Sequence, residues 1–132
     1  MIVDSSAVVA ILHGESDSQT YSEAIEQSTD RRMSAGTLLE AAIVVDRFRD
    51  PILSREFDNL IREAAIVIEP FTESQARIAR EAYRDFGKGG WHPAGLNFGD
   101  CFAYALAKVT GEPLLFKGDD FSKMDIEPAL RV

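Results

Sequence analysis

The chain has 132 residues, the size of one domain, and 45% of them are apolar, which supports a buried core and excludes a disordered chain. Its 14 basic and 22 acidic residues give a formal charge of −8, which argues against the broad basic surface of a general polyanion-binding domain and favours a basic protein partner. No apolar run reaches the roughly 18 residues needed to span a bilayer, and MIVDSSAVVAIL, with an acid at position 4 and no basic segment, does not read as a secretory signal, so the cytoplasm is the expected location.

Short apolar runs alternate with longer amphipathic stretches, the pattern of an α/β fold with a parallel sheet. The first strand is expected at Met1–Val3, followed by a short apolar helix from about Ser6 to Leu12. A second helix covers about Ser18 to Ser28, with Tyr21, Ala24, Ile25 and Ser28 on one face. A brief second strand near Arg32–Ala35 leads to a helix carrying Leu38, Ala41, Ala42, Val45 and Phe48; Pro51 marks the break before another with Phe57, Leu60, Ile61 and Ala64. The third strand, Ile66–Glu69, is stopped by Pro70.

The helix from about Glu73 to Phe86 places Ile78, Ala79, Ala82, Tyr83 and Phe86 on one stripe. A glycine-rich loop, GKGGWHPAG, separates it from a helix at about Asn97 to Thr110, where Phe98, Cys101, Phe102, Ala105, Leu106 and Val109 recur at helical spacing. A fourth strand follows at Leu114–Phe116, and the tail from Ile126 to Leu130 offers a weak edge strand. With no repeat, linker or low-complexity tract, residues 1–132 are expected to form a single domain.

Four acids stand out by placement. In open parallel sheets, ligands bind beyond the carboxyl ends of the strands. Asp4 directly follows the first strand, Glu40 lies in the first turn or so of the helix after the second, Asp100 is in the first turn of its helix, and Asp119 follows the fourth strand in KGDDF. All four are expected at one edge of the sheet. Each also has a local explanation: Thr37–Glu40 and Asn97–Asp100 fit capping boxes, Asp4 and Ser5 fit a helix cap, and Gly118–Asp119–Asp120 fits a turn. Glu69 follows a strand too, yet has no such company. Converging carboxylates repel one another unless a cation is present. A hard ion such as Mg²⁺, which takes one or two carboxylates and keeps water and phosphate oxygens, would resolve that repulsion and assist phosphodiester chemistry.

MIVDSSAVVAIL, TLLEAAIVV, LNFGDCFAYALAK and LLFKGDDF, in this order, resemble the successive motifs of PIN-domain ribonucleases, most closely the VapC toxins of bacterial type II toxin–antitoxin pairs. The resemblance extends from Met1 to about Asp125. It implies a PIN-like three-layer α/β/α fold with a central, mainly parallel sheet of four to five strands. By position it makes Asp4, Glu40, Asp100 and Asp119 both catalytic and metal-binding, with Asp4 and Asp100 the firmest ligands and Asp120 an alternative to Asp119. Ser5 or Ser6 matches the hydroxyl residue that supports such sites. The implied activity is an Mg²⁺-dependent endoribonuclease (Mn²⁺ a possible substitute), in which an activated water attacks the phosphodiester in line and leaves a 5′-phosphate and a 3′-hydroxyl. The implied partners are a structured RNA such as tRNA or rRNA, a VapB-type antitoxin whose C-terminal segment covers the pocket with a basic residue, and a second copy in a homodimer.

Other features have plainer readings. Cys101, the single cysteine, is expected as a buried structural thiol, and with His13 and His92 it lacks any zinc spacing. Arg77 and Arg80 are expected on a solvated, ion-paired helix face, whereas Arg84, Lys88 and His92, next to Trp91, are candidate RNA contacts. GKGG lacks the phosphate-loop pattern. Tyr104, one turn beyond Asp100, suits the pocket or the core. The competing functions are a receiver-like signalling module, for which Lys117 after the last strand is the one supporting feature, and a catalytically silent binding module.

Overall fold

The computed structural model describes residues 1–87, 89, 95–119 and 121–130. Among them, strands Ile2–Val3 (β1), Arg32–Ser34 (β2), Val67–Glu69 (β3) and Leu114–Leu115 (β4) pair in parallel, in the order β3-β2-β1-β4. The helices are Ser5–Leu12 (α1), Ser18–Gln27 (α2), Ala35–Asp46 (α3), Pro51–Glu63 (α4), Glu73–Phe86 (α5) and Asp100–Thr110 (α6). None is long and apolar enough to cross a membrane.

Successive strand side chains point to opposite faces, and here each central strand supplies one residue to each of two cores. Ile2 and Leu114 pack with Ala79 and Ala82 of α5 and with Ala103 and Leu106 of α6. Val3 and Leu115 pack with Val8, Ile25, Val45 and Phe57 from α1 to α4. Helices therefore cover both faces, giving the expected three-layer α/β/α arrangement. The chain runs outward from β1 to β2 and β3, then returns to place β4 on the other side of β1. The strand order reverses at β1, and the crevice at its carboxyl end is where such sheets bind ligands.

Most expected elements are present with ends moved by a residue or two. Helix α5 has the expected bounds, because Thr72 Oγ1 accepts the Gln75 N–H (3.2 Å) at one end and Gly87 closes the other. The expected edge strand at Ile126–Leu130 shrinks to one parallel bridge, Leu114 with Pro128, flanked by two backbone hydrogen bonds of 2.8 Å.

Three expectations are corrected. Thr37 and Glu40 do not form a capping box: β2 runs straight into α3, and Ser34 is the cap, its Oγ accepting the Gly36 N–H (3.2 Å). Glu40 is consequently in the second turn. Phe48 lies beyond the end of α3 and is 56% exposed, packed edge-on to His13. Phe98 precedes α6, which starts only at Asp100, and is 76% exposed.

Helices α3 and α6 meet closely at Gly36, where a Cβ would overlap the Phe102 ring. That ring is held edge-to-face between Phe71 (4.8 Å between centroids) and Phe98 (5.2 Å). Gly36→Ala is expected to destabilise the fold by about 1–3 kcal/mol, the usual cost of overpacking, read as a lower urea midpoint.

Candidate active site at the carboxyl end of the sheet

Asp4 begins the site. Its backbone N–H donates to the Leu115 carbonyl (3.0 Å), which fixes it where β1 meets β4. Its side chain caps α1: Oδ2 accepts from the Ser6 N–H (3.1 Å) and the Ser6 hydroxyl (2.6 Å). Ser6 Oγ in turn accepts the Lys117 N–H (2.9 Å), tying the loop after β4 to the same carboxylate. The other oxygen, Oδ1, is buried without a hydrogen-bond partner. Asp4 is 2% exposed. Burial pushes its carboxyl up from 3.8 to about 6, against the two Ser6 hydrogen bonds, and the charge of Glu40 adds to the rise.

Glu40 reaches this place from the second turn of α3. Its Oε1 accepts the Ser5 hydroxyl (2.6 Å), and its Oε2 lies where a Cβ on Gly99 would be. Ser5 adjoins Asp4 and Gly99 adjoins Asp100, so Glu40 is held between the starts of α1 and α6.

Asp100 opens α6 and is 7% exposed. Its Oδ2 accepts the Asn97 N–H and its own N–H donates to Asn97 Oδ1, both at 3.0 Å. The expected reciprocal pair is therefore present, but α6 begins at Asp100 with Gly99, not Asn97, at its N-cap; the pair holds the carboxylate at the helix N-terminus, where the dipole favours negative charge. The neighbouring Cys101 is buried as expected; burial, then the Asp100 charge, pushes its thiol up to about 11, so it is not a nucleophile.

Asp119 is exposed on the loop after β4. Its carbonyl accepts from the Ser122 N–H (3.1 Å) and hydroxyl (2.8 Å), which shapes the turn. It lines a cavity of about 1190 Å³ with Asp17, Tyr21, Phe116 and Glu127, and among the four acids it alone does so. The structure thus joins Asp4, Glu40 and the start of α6, and leaves Asp119 on an exposed loop against a cavity that none of the other three acids lines. Asp120 lies outside the described residues.

Among the described residues, no group of three or more His, Cys, Asp or Glu side chains is arranged to hold a metal ion. The donor set nevertheless suits Mg²⁺, which takes one or two carboxylates and leaves its remaining positions to water and phosphate. The partnerless Asp4 Oδ1 is the atom that a cation would satisfy, since a buried carboxylate oxygen without a partner is costly.

The other sequence candidates separate clearly. Arg77 pairs with Glu73 (3.2 Å) on a solvated face, and Arg84 lies beside Asp85 (3.4 Å). Lys88, Trp91 and His92 lie outside the described residues. Tyr104 is a core residue whose hydroxyl donates to Asp125 (2.7 Å). Lys117 Nζ is paired with Asp17 (3.0 Å) and Glu15 (3.3 Å), a placement that removes the one feature favouring a receiver-like module. Sequence reading missed Gly99 and the separate duties of Ser5 and Ser6, because each depends on a partner distant in the chain.

Comparison with known proteins gives concordant findings. The PIN domain family matches residues 1–127. Ribonuclease VapC28 of Mycobacterium tuberculosis is 55% identical over 130 residues, covering 98% of both chains. Ribonuclease VapC42 of the same species is 52% identical over 129 residues, again covering 98% of both. Among solved structures, M. tuberculosis VapC20, described as a sarcin–ricin loop cleaving toxin, superposes with a TM-score of 0.71 over 92% of each chain. At 16% identity that last likeness speaks for the fold alone.

Proposed function

The chain belongs to the PIN domain family, and from that premise we propose that it is an endoribonuclease toxin of the VapC kind, acting in the cytoplasm as one domain over residues 1–132. The observation that carries the reading is the arrangement around Asp4: a buried carboxylate with one partnerless oxygen, raised in pKa, beside a second carboxylate held between the neighbours of Asp4 and Asp100. Asp4 Oδ2 caps α1, but the partnerless Oδ1 and the second carboxylate beside it cost stability that capping does not require, which favours selection for chemistry.

Asp4 and Asp100 would hold Mg²⁺, or Mn²⁺ in its place, with Glu40 and Asp119 completing the acidic site. When bound, the ion polarises a phosphoryl oxygen, lowers the pKa of a water and supports the leaving oxygen. The chain's own residues supply the rest. Asp4 is oriented by Ser6 and Glu40 by Ser5, so neither must reorganise when substrate arrives. Asp119, by its position after β4, would orient the attacking water or the phosphate. The products would be a 5′-phosphate and a 3′-hydroxyl.

The substrate is read as a structured RNA such as tRNA or rRNA. A charge of −8 gives the protein little general attraction for RNA, so recognition must be local. The same acidity suits a VapB-type antitoxin whose C-terminal segment places a basic residue over the pocket, and a homodimer is the expected assembly.

The test is cleavage of total tRNA and rRNA by the purified protein with Mg²⁺, with EDTA, and by Asp4→Ala. Cleavage that stops with EDTA and in the variant is expected; cleavage by Asp4→Ala at the wild-type rate would sink the proposal. Asp119→Ala is expected to lose only about tenfold in the same assay, the equivalent of one charge-assisted hydrogen bond.

A further inference from the structure

We propose that Gly99 is a positioning residue, present because its missing side chain leaves the slot that the Glu40 carboxylate occupies. This rests on reading Glu40 as a member of the RNA-cleaving acid site.

The backbone does not ask for glycine at position 99. Its φ of −62° and ψ of −36° are ordinary right-handed values that every L residue adopts. Gly111 and Gly118 differ, with φ of 71° and 101°, where glycine relieves real strain. Gly99 is the N-cap residue of α6, where glycine is favoured over alanine, but its right-handed backbone is not the extended conformation of a usual N-cap and no side chain caps the helix there. Capping therefore accounts for glycine here only in part.

Space is the remaining reason, and it is specific. A Cβ on Gly99 would overlap Oε2 of Glu40, and its three nearest heavy atoms would all belong to the Glu40 carboxyl group. On the far side, Glu40 Oε1 is fixed by the Ser5 hydroxyl at 2.6 Å. The carboxylate is therefore held between a hydroxyl from the start of α1 and bare backbone from the start of α6.

The consequence of filling the slot follows from what is displaced. At Gly36 the obstacle is a ring wedged between two others, and at Gly87 it is the backbone carbonyl of Tyr83. At Gly99 it is the far end of a flexible side chain that can swing out towards water. Gly99→Ala should therefore leave the fold intact and move Glu40 away from Asp4 and Asp100. Its cost falls on the chemistry.

The experiment is a double-mutant cycle of Gly99→Ala and Glu40→Ala in the full chain, read by RNA cleavage, by Mn²⁺ affinity and by melting in EDTA. Gly99→Ala is expected to lower kcat by about 100-fold, the cost of misplacing a catalytic group by about an ångström, with KM little changed and Mn²⁺ bound more weakly. The double variant should be no worse than Glu40→Ala alone, because both changes act through one carboxylate. In EDTA, Gly99→Ala should raise the melting temperature by about 2–4 °C more when Glu40 is already alanine than in the wild type. Wild-type kcat and Mn²⁺ affinity in Gly99→Ala would overturn the proposal, as would losses that multiply in the double variant. A lower melting temperature that Glu40→Ala does not restore would overturn it too. If the wild type cleaves no RNA the nuclease reading fails, while the melting cycle still decides whether Gly99 and Glu40 share one slot.

Discussion

Asp4→Asn is expected to abolish RNA cleavage and, in EDTA at pH 7, to make the protein more stable than the wild type. Both effects come from one carboxylate. Folding takes Asp4 from water to a site where it is 2% exposed, where Oδ1 has no partner and where the charge of Glu40 opposes its own. The rise from 3.8 to about 6 corresponds to about 3 kcal/mol against the ionised form. Asparagine keeps an oxygen for the Ser6 hydrogen bonds and carries no charge, so a good part of that 3 kcal/mol should be regained. The sign with pH is fixed. Because the folded pKa lies above the unfolded one, the native state binds more protons between about pH 4 and pH 6, and the wild type loses stability as pH rises through that window. The variant lacks this loss, so the two should converge near pH 4 and separate towards pH 7 in urea titrations. Cleavage should fall by about 100-fold or more, as when a fixed electrostatic group is removed from a reaction centre. Mg²⁺ should raise the stability of the wild type at pH 7 and leave the variant unchanged. A variant less stable than the wild type at pH 7 would mean that Asp4 is a cap and nothing more.

The same tension explains what the sequence does and does not reveal. The layers are legible because they rest on local periodicity: Ile2 and Val3, or Leu114 and Leu115, divide between two cores by simple alternation. Helix α5 has its expected bounds, although of its expected stripe Ala79 and Ala82 are buried while Tyr83 is 44% exposed. Where local signals conflict with tertiary ones, the reading slips. Thr37 and Glu40 imitate a capping box, yet Ser34 caps the helix directly from the strand, and Glu40 is turned to a hydroxyl on α1 instead. Phe48 and Phe98 continue a helical spacing past the ends of their helices and are left exposed. Asp4 and Asp119 are singled out by their places after strands, Glu40 and Asp100 by their places near helix starts, and the structure brings Asp4, Glu40 and the start of α6 together. Gly99 is invisible by such placement, because its reason lies in a carboxylate carried by another helix. Candidate acids can be read from position; residues that make room for them cannot.

Asp100 brings the local and the functional explanations into direct competition, and a pair of substitutions separates them. Its carboxylate accepts the Asn97 N–H at 3.0 Å and so braces the turn that leads into α6, which is sufficient reason for an acid there. A carboxylate has about four lone-pair sites, however, so accepting the Asn97 N–H does not by itself preclude a second duty. Asp100→Asn retains an oxygen for the Asn97 N–H. It loses the favourable charge at the helix start, worth about 0.3–1 kcal/mol, and relieves repulsion from the neighbouring acids. Its stability should stay within about 0.5 kcal/mol of the wild type. Asp100→Ala removes the acceptor as well and should cost about 1–2 kcal/mol, the range for a lost cap. If the site needs the charge, both variants lose RNA cleavage by about 100-fold or more, although only one is destabilised. If Asp100 is only a cap, cleavage tracks stability and the asparagine variant keeps it. Asn97→Ala completes the comparison: it removes the Asn97 side-chain acceptor that receives the Asp100 N–H at 3.0 Å while leaving the Asp100 carboxylate in place. It should therefore lower stability about as much as Asp100→Ala and retain far more activity. Stability and cleavage measured on these three proteins would show whether the acid at the start of α6 holds the helix, the substrate site, or both.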